Sequence, residues 1–258
     1  MTLTLSPSLD VRENREFAAE IKFQVPESAS ELVLDWARSR LVPDPNACDG
    51  GLKDGYLITS LYFDTENFDV FHRRGSFGRS KYRIRRYGSS KTVFLERKLK
   101  TRGLVSKRRA AVPIEELARL QEPDPDPGWA GFWYHQRLQA RQLRPICQIS
   151  YQRIARVALT QDGPIRLTID RCIRAVALQK IAFDEATPAL SLSEDQSIVE
   201  FKFRMSMPVL FKELVESFAL DAKRLSKYRL AAVALGLVDV PEASHPPTES
   251  PKAICLNS

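Results

Sequence analysis

The chain has 258 residues, of which 43% are hydrophobic and 28% charged, a composition typical of a globular protein with one large domain. It contains no run of about eighteen apolar residues, so we expect no membrane-spanning helix of its own. Residues 1–17 lack the charged start and apolar stretch of a secretory signal. Four cysteines without a C-x-x-C pair, and three histidines, disfavour a zinc site or a disulfide framework and predict a reducing, cytoplasmic location.

Positive charge is concentrated in one segment. Residues 73–109 contain fifteen Lys or Arg and one acid, Glu96, so this segment carries +14. The whole chain carries +7, and the remainder therefore carries −7. Such a segment predicts a site for a polyanion, although a basic surface in water is the simpler alternative. Charge alone leaves nucleic acid and polyphosphate both open as ligands.

The chain predicts a single domain over residues 16–240. It would follow a flexible N-terminal arm, residues 1–15, and precede a tail, residues 241–258, rich in Pro, Ser and Glu. A segment with so little to bury is expected to be disordered.

Helices are predicted at five places, from their caps and apolar spacing. They are residues 28–40, 113–121, 128–143, 207–219 and 221–235. Ser28 or Ser30 would cap the first helix, Asp221 would cap the last, and Gly236 would end it. Three prolines between the second and third helices indicate a loop.

Most of the middle of the chain alternates with the two-residue period of β-strands, whose side chains point to opposite faces in turn. Strands are predicted at residues 19–23, 60–65, 81–87, 92–100, 165–170 and 198–204. At least five of them have one apolar face and one strongly charged face. The opposite faces carry Glu20 and Lys22; Ser60, Tyr62 and Asp64; Lys81, Arg83 and Arg85; Glu96, Lys98 and Lys100; Arg166, Thr168 and Asp170; and Glu200, Lys202 and Arg204.

These strands could be arranged in two ways. A β-sandwich would expose the charged faces to water. Alternatively, an antiparallel sheet closes into a barrel, helices cover its apolar outer face, and the charged faces line a channel. Helices with apolar stripes, such as Leu32 and Trp36 or Leu210 and Leu214, could provide the cover. Periodicity alone does not choose between the two.

A channel lined by cations would favour a phosphate chain as ligand. Many cations in one cavity cost free energy through desolvation and repulsion unless an anion fills the space. Arg offers paired donors to phosphate and Lys a point charge. The row of Lys81, Arg83 and Arg85, with Lys98 and Lys100 on a neighbouring strand, would therefore suit a linear triphosphate or a longer chain.

The acidic residues on the same faces have two explanations. Glu20, Glu200, Glu96 and Asp170 would repel phosphate if they were bare. They could hold a hard divalent cation that bridges phosphate oxygens. They could equally well pair with neighbouring Lys and Arg side chains.

Eight short motifs occur in an order that resembles a known family. They are EIKF at 20–23, SLYFDT at 60–65, KYRIRRYG at 81–88, FLERK at 94–98, YQR at 151–153, RLTID at 166–170, VEFKF at 199–203 and LSKY at 225–228. Each is weak alone, but the ordered set is specific. Over residues 16–236 the chain resembles the VTC domain, the polyphosphate polymerase branch of the triphosphate tunnel metalloenzyme (CYTH-like) superfamily.

The resemblance implies an α+β fold, a closed antiparallel β-barrel (tunnel) with a charged interior and helices packed outside. It implies transfer of the γ-phosphoryl group of ATP to inorganic polyphosphate with manganese or magnesium (Mn²⁺ or Mg²⁺). Glu200 would hold the metal, with Glu20 as a second ligand or a salt-bridge partner. The implied catalytic cations are Arg83, Arg85, Lys98 and Arg166. The implied substrate-binding residues are Lys22, Lys81, Lys100, Arg153, Lys202, Ser226 and Lys227.

Two departures from the family pattern qualify this prediction. Ala18 stands where the wider superfamily often has the first acid of a Glu-x-Glu-x-Lys pattern, which favours the polymerase branch over the hydrolytic one. Eukaryotic members also carry a regulatory phosphate-sensing domain and membrane helices. Coupling of synthesis to transport would therefore require a separate membrane-protein partner. Lys107, Arg108 and Arg109 would line the tunnel mouth or form a plain surface cluster.

Other functions stay open on sequence alone. The same tunnel could hydrolyse triphosphate or polyphosphate, which analysis of the products would reveal. It could also bind polyphosphate or a nucleotide without turning it over. Nucleic-acid binding is disfavoured, because acids alternate with bases on the same faces and the sequence has no helix-turn-helix or RNA-recognition motif.

Overall fold

The computed structural model describes residues 12–14, 19–45, 54–101, 104–204 and 206–239. Within them, eleven strands form one antiparallel sheet. The strands are β1 Arg12–Asn14, β2 Ala19–Pro26, β3 Val42–Pro43, β4 Gly55–Asp64, β5 Ser80–Tyr87, β6 Thr92–Thr101, β7 Leu104–Pro113, β8 Arg144–Thr160, β9 Gly163–Ala177, β10 Leu190–Ser191 and β11 Gln196–Phe203. The helices are α1 Glu27–Arg40, α2 Asp69–His72, α3 Phe132–Ala140, α4 Val209–Ser217 and α5 Lys227–Ala234, with 3-10 helices at Gly75–Arg79 and Ile114–Gln121.

The strand order across the sheet is β1-β7-β6-β5-β4-β8-β9-β11-β2, with β10 beside β9 and β3 beside β8. No backbone ladder between described residues joins β2 to the β7 end, so the predicted closure into a barrel is not confirmed. The α+β class and the large antiparallel sheet are as expected. The sheet nevertheless curls. Strands β6 and β2 are far apart in the strand order, yet Lys98 on β6 contacts Glu20 on β2 with an Nζ–Oε2 distance of 3.1 Å.

The register of the β5–β6 ladder confirms the predicted division into an apolar and a charged face for these two strands. Lys81 lies opposite Lys98, and Arg83 lies opposite Glu96, in the β5–β6 ladder. Residues opposite each other in a ladder share one face of the sheet. Alternate positions such as Ile84 and Leu95 are fully buried on the other face.

Two apolar clusters cover the outer face of the sheet. Of the residues predicted to provide this cover, Trp36, Leu210 and Leu214 belong to or pack on a cluster, whereas Leu32 is 58% exposed and that prediction is wrong. One joins β2, β9 and β11 to α1 and α4, and includes Phe23, Leu167, Phe201, Val33, Leu34, Phe211 and Leu214. The other joins β4, β5, β6 and β8 to α3 and α5, and includes Leu61, Tyr82, Ile84, Leu95, Tyr134, Leu138 and Ala231. Because the apolar surface is buried outside, the concave inner face is left to polar side chains.

The start of the first helix differs from the prediction. Helix α1 begins at Glu27 with Pro26 as its N-cap, and no side chain caps it. A proline fits there because its fixed φ suits a helix start and it brings no N–H group that needs a partner. Ser30 instead donates a hydrogen bond to the Glu27 carbonyl oxygen at 2.8 Å. The capping role predicted for Ser28 or Ser30 is therefore wrong.

The last helix begins six residues later than predicted. Ser226, not Asp221, is the N-cap of α5 and accepts a hydrogen bond from the Arg229 N–H. The preceding residues pair with β2 instead, through a bridge between Ala222 and Phe23 and a 2.8 Å hydrogen bond from the Lys223 N–H to the Lys22 carbonyl. Gly236 follows the helix with a φ of 63°, as a helix-ending glycine requires.

The remaining predictions of elements hold with shorter bounds. The helices expected at 128–143 and 207–219 are α3 and α4, and the segment expected at 113–121 is a 3-10 helix. Of the expected N-terminal arm, only Arg12–Asn14 are described, and they form β1 against β7. The expected tail lies outside the described residues. No helix within the described ranges is both long and apolar enough to cross a membrane.

The packing of α4 on the sheet gives a test of the fold. Phe211 is fully buried and stacks on Phe201 of β11 with ring centroids 4.3 Å apart. We expect Phe211→Ala to lower the free energy of unfolding by about 3–5 kcal/mol in urea titrations, because it opens a cavity. Val209, on the same helix, is 68% exposed, and Val209→Ala should change stability by less than about 0.5 kcal/mol. Equal losses in both variants would contradict this account of the outer cluster.

Candidate functional site: two cavities inside the curled sheet

A cavity lies on the concave face of the sheet, and its space, including the part that is open to solvent, is about 610 Å³. We call it the first cavity. It is lined by eight Lys or Arg side chains and two carboxylates, together with tyrosine and serine hydroxyls. The lining residues are Glu20, Lys22, Tyr62, Lys81, Arg83, Arg85, Lys98, Tyr151, Arg153, Glu200, Lys202, Ser226, Lys227 and Tyr228. Strand alternation and the curl of the sheet thus bring together residues that are more than 200 positions apart in sequence.

Two carboxylates, Glu20 on β2 and Glu200 on β11, share the ammonium group of Lys22. Its Nζ lies 2.8 Å from Glu20 Oε1 and 3.4 Å from Glu200 Oε2. Lys98 also pairs with Glu20, and Lys202 with Glu200 at 2.9 Å. Burial and mutual repulsion raise the pKa of Glu20, but the three lysines outweigh them and hold it well below its usual range. Both carboxylates are therefore ionised at neutral pH.

This pair of carboxylates meets the chemical requirements of a divalent hard cation bound together with phosphate. Magnesium commonly takes one or two protein carboxylates and completes its coordination with water and substrate phosphate oxygens. Among the described residues, no cluster of three or more His, Cys, Asp or Glu is suited to a metal. The protein alone therefore supplies only part of a coordination shell. In this structure the ammonium group of Lys22 lies between Glu20 and Glu200 and provides the positive charge there.

Glu96 on β6 is held by cations from the strands on both sides. Its Oε2 accepts a hydrogen bond from Arg83 Nε of β5 at 2.6 Å. Its Oε1 lies 3.0 Å from Lys107 Nζ and 3.3 Å from Arg109 Nε, both of β7. Glu96 is 2% exposed. Burial opposes its ionisation, but Arg83, Arg85, Lys107 and Arg109 outweigh burial and lower its pKa.

Asp170 on β9 anchors the start of α5 to the interior. Arg153 on β8 binds it through two hydrogen bonds, from Nε at 2.6 Å and from Nη2 at 2.7 Å. Lys227, the first residue of α5, donates to the same carboxylate at 2.6 Å. With both oxygens used by cations, Asp170 acts as an ion-pair partner. This fixes Lys227 and the neighbouring Ser226 at the edge of the first cavity.

Two cations of the first cavity have neutral partners within the described part of the chain. Arg85 donates to the Ser60 hydroxyl at 3.2 Å and to the Tyr151 hydroxyl at 3.1 Å. Lys81 donates to the Ser226 hydroxyl at 3.1 Å. Partial desolvation, followed by repulsion from Lys22, Lys98 and Arg83, lowers the pKa of Lys81, although its side chain is still exposed to solvent. An anion entering the cavity would compensate the charge of both side chains.

Arg166 faces a different space from the one the sequence predicts. It does not line the first cavity; its Nη2 lies 2.7 Å from Asp44 Oδ2 and 3.1 Å from the Tyr56 hydroxyl. It lines another space on the protein, of about 1390 Å³ including the part that is open to solvent, which we call the second cavity. The other lining residues are Pro45, Tyr56, Tyr87, Gly88, Ser89, Ser90, Phe94, Lys107 and Arg109. The side chain of Lys100, another predicted site residue, lies outside the described residues.

Of the three basic residues at 107–109, two face the interior and one does not. Lys107 and Arg109 line the second cavity. Arg108 alternates to the outer face, where its guanidinium lies over the Trp133 ring at 4.3 Å. The predicted cluster is therefore divided by strand alternation.

Sequence reasoning missed the tyrosines and one aspartate of the site. Tyr62, Tyr151 and Tyr228 line the first cavity. Tyr62 already lay on the polar face of its predicted strand, and Tyr151 precedes Arg153 by two residues, which is the spacing of one strand face. Asp44 follows a two-residue strand, and its pairing with the distant Arg166 had no signal in the sequence.

The fold is shared with solved structures of low sequence identity. A candidate adenylate cyclase of Bacillus halodurans superposes with a TM-score of 0.50 at 15% identity, over 83% of this chain and 96% of that chain. A Pyrococcus horikoshii protein gives 0.45 at 12% identity, over 84% and 99%. A candidate adenylyl cyclase of Hippeastrum, described as having a dominant triphosphatase activity, gives 0.43 at 17%, over 84% and 96%. The first likeness shows the fold, and the other two add nothing to that assignment.

The curled sheet and its cationic interior define a tunnel-fold protein with a phosphate-related function. The family model for the VTC domain matches residues 17–235, and the chain belongs to this family. No curated protein matches the sequence significantly.

The ion pairs of Asp170 predict a pH-dependent stability. Burial opposes ionisation, but Arg153 and Lys227 lower the pKa of Asp170 to about 2. The resulting stabilisation, about 2 kcal/mol, should be complete above about pH 4 and be lost as pH falls towards 2. Asp170→Asn should remove this dependence and lower the free energy of unfolding at pH 7 by about 3–5 kcal/mol, since Arg153 and Lys227 lose their partner.

Urea titrations at several pH values would measure this effect. Asp162→Asn, at an exposed position between β8 and β9, is the matched control and should leave the profile unchanged. If Asp170→Asn kept the acid sensitivity of the parent protein, the assigned role of Asp170 would be wrong.

Proposed function

We propose that this chain is a polyphosphate polymerase, which transfers the γ-phosphoryl group of ATP to the end of an inorganic polyphosphate chain. The observation that supports this best is the pair of cations, Arg85 and Lys81, whose partners are neutral hydroxyls in a cavity already crowded with positive charge. An anion that binds there would add favourable charge to both side chains. Membership of the VTC domain family supports the choice of a phosphate chain as that anion.

Phosphoryl transfer asks little covalent chemistry of a protein, and most of the catalysis comes from positioning and from compensation of charge. Arg83 and Arg85 would stabilise the charge on the transferred group. Lys22, Lys81, Lys98 and Lys202 would hold the phosphates on either side. Ser226 and Lys227 would bind phosphate at the start of α5, where the N-terminal end of a helix favours an anion.

Two other predicted residues take more limited roles in this proposal. Arg153 is bound by both oxygens of Asp170, so it would act mainly by positioning Lys227 through that carboxylate. Arg166, in the second cavity, would contact a chain that extends that far and not the transferred group. Lys100 keeps the substrate-binding role that the family resemblance implies.

A divalent cation, Mn²⁺ or Mg²⁺, would be held by Glu200 and Glu20. When bound, it would supply positive charge that offsets the negative charge of the phosphates. The protein's part is to keep both carboxylates ionised and close together, which the lysines around them do. Lys22 would then shift from the carboxylates to the phosphates.

The low pKa values of the interior carboxylates favour transfer of the γ-phosphoryl group to another phosphate over its transfer to water. An efficient general base has a pKa near the working pH. The pKa values of Glu20, Glu96, Asp170 and Glu200 are all lowered, so these groups are weak bases for activating water. An acceptor phosphate is already ionised and needs no base. Triphosphate hydrolysis, the activity described for the Hippeastrum protein, is the second candidate function.

The proposed partners are ATP and polyphosphate in the cytoplasm. The cations face inward into a cavity, which a nucleic-acid duplex is too wide to enter. A membrane-protein partner would be needed to couple synthesis to transport.

Incubation with ATP and Mn²⁺ or Mg²⁺, followed by gel sizing of the products, tests the proposal. We expect long polyphosphate whose formation requires the metal. Arg85→Ala and Glu200→Gln should each reduce the rate by at least about 100-fold, because each removes charge that acts on the phosphates. Arg137→Ala, on the exposed side of α3, is the control and should retain full activity.

The products separate the alternatives. Orthophosphate without polymer would identify a hydrolase, and tight tripolyphosphate binding without any product would identify a binding module. Circular dichroism would establish that the variants are folded. Full activity in folded Arg85→Ala and Glu200→Gln proteins would contradict the site assignment.

A further inference from the structure

Four consecutive side chains at the start of α5 are each bound by a different part of the fold. Two of the contacts depend on cations that line the first cavity: Lys81 donates to Ser226, and Lys227 donates to Asp170. A phosphate in that cavity would compete for both cations, because its oxygens are strong acceptors for charged donors. These two contacts would therefore weaken when such a ligand binds.

The other two contacts join α5 to the end of β4 and to α2. The Tyr228 hydroxyl donates to Asp64 Oδ2 at 2.5 Å. Arg229 Nη1 donates to the Phe71 carbonyl oxygen at 2.8 Å. Asp64 and Phe71 are buried, and neither of them lines the first cavity. A phosphate in the first cavity would therefore leave these two contacts in place.

Asp64 is itself fixed by the backbone around α2. Its Oδ1 accepts hydrogen bonds from the N–H groups of Thr65 at 2.7 Å and Val70 at 2.8 Å. Its Oδ2 accepts one from the Phe71 N–H at 2.9 Å, in addition to the one from Tyr228. With three backbone donors around it, the carboxylate is a rigid acceptor. Burial and the nearby Asp64 raise the pKa of Tyr228 well above its usual range, so the hydroxyl keeps the proton that it donates.

We infer that the contacts of Tyr228 with Asp64 and of Arg229 with α2 position the start of α5 for phosphate. The residues so positioned are Ser226 and Lys227, at the edge of the first cavity. A helix start that is already in place spares the ligand the entropy cost of ordering it, which raises the affinity. This inference rests on the proposed binding of phosphate at the start of α5, but not on any turnover of ATP.

The test measures the affinity for tripolyphosphate by calorimetry on the full chain at fixed salt. Tyr228→Phe removes the hydroxyl but keeps the ring, which stacks on Tyr62 with centroids 5.7 Å apart, so the variant should fold. We expect its affinity to fall about tenfold, as the loss of one charge-assisted hydrogen bond to the ligand would produce. Tyr134→Phe is the control, because it removes another buried hydroxyl, from α3 outside both cavities, and should leave the affinity unchanged.

A second measurement distinguishes positioning from a direct contact or a general loss of stability. In a Ser226→Ala/Lys227→Met background the positioned groups are absent. Adding Tyr228→Phe to this background should therefore lower the affinity less than about twofold, because residues that act together are not additive. If the double background does not fold, each single variant replaces it, and in each the loss should be smaller than in the parent.

Arg229→Met covers the case in which Tyr228→Phe does not fold. It removes the other contact outside the first cavity and should also weaken tripolyphosphate binding. Because it removes a charge as well, its effect is compared between the parent and the Ser226→Ala/Lys227→Met background. The loss should be smaller in the background, where only the effect of the charge is left.

The outcomes separate this inference from the proposed function. An unchanged affinity in folded Tyr228→Phe would overturn the inference and leave the proposed function standing. Equal losses in the parent and in the Ser226→Ala/Lys227→Met background would also overturn it, because the hydroxyl would then act by another route. A similar loss in Tyr134→Phe would do the same. If the parent protein did not bind tripolyphosphate, the proposed function would fail and the inference with it.

Discussion

The structure depends on the balance of charge inside the curled sheet. Cations from seven strands, β2, β5, β6, β7, β8, β9 and β11, converge on one concave face, where they repel one another and lose water. Glu20, Glu200, Glu96 and Asp170 compensate them, and each accepts cations from more than one element. A buried pair of charges adds little net stability when compared with apolar packing, but loss of one partner is costly. These carboxylates therefore set the shape of the interior, while the free energy of folding comes from the two apolar clusters on the outer face.

The balance is incomplete in one place, and this is where a ligand would bind. The carboxylates pair with Lys22, Lys98, Lys202, Arg83, Arg153 and Lys227, whereas Arg85 and Lys81 donate hydrogen bonds to hydroxyl groups. A phosphate chain brings several negative charges on a linear frame and can compensate both cations without removing a carboxylate. The same arrangement explains why the inner face contains tyrosines. Their hydroxyl groups satisfy Arg85 and Asp64 without adding charge.

Strand alternation could be predicted from sequence because it is local. It correctly divided Lys81, Arg83 and Arg85 from Tyr82 and Ile84, and it placed Glu20 and Glu200 on polar faces. Features that depend on distant residues could not be predicted. The start of α5 is delayed because Ala222 and Lys223 pair with β2, and Arg166 turns to the second cavity because Asp44 lies there. Rules that consider only neighbouring residues include neither β2, the partner of Ala222 and Lys223, nor Asp44, the partner of Arg166. The family resemblance rested on ordered motifs and supplied the tunnel architecture, but the sheet is not closed by backbone hydrogen bonds between described residues.

The pairing of β2 with β11 has a consequence for synthesis of the protein. β2, residues 19–26, leaves the ribosome long before β11, residues 196–203, which is its only ladder partner in the described structure. Contacts so distant in sequence form slowly, because a long loop must close first. Glu20 and Glu200 meet only in this last ladder, so a nascent chain has no complete phosphate-binding interior. Until β11 emerges, β2 remains an open strand edge, and a chaperone that shields such edges would be of most use during that interval.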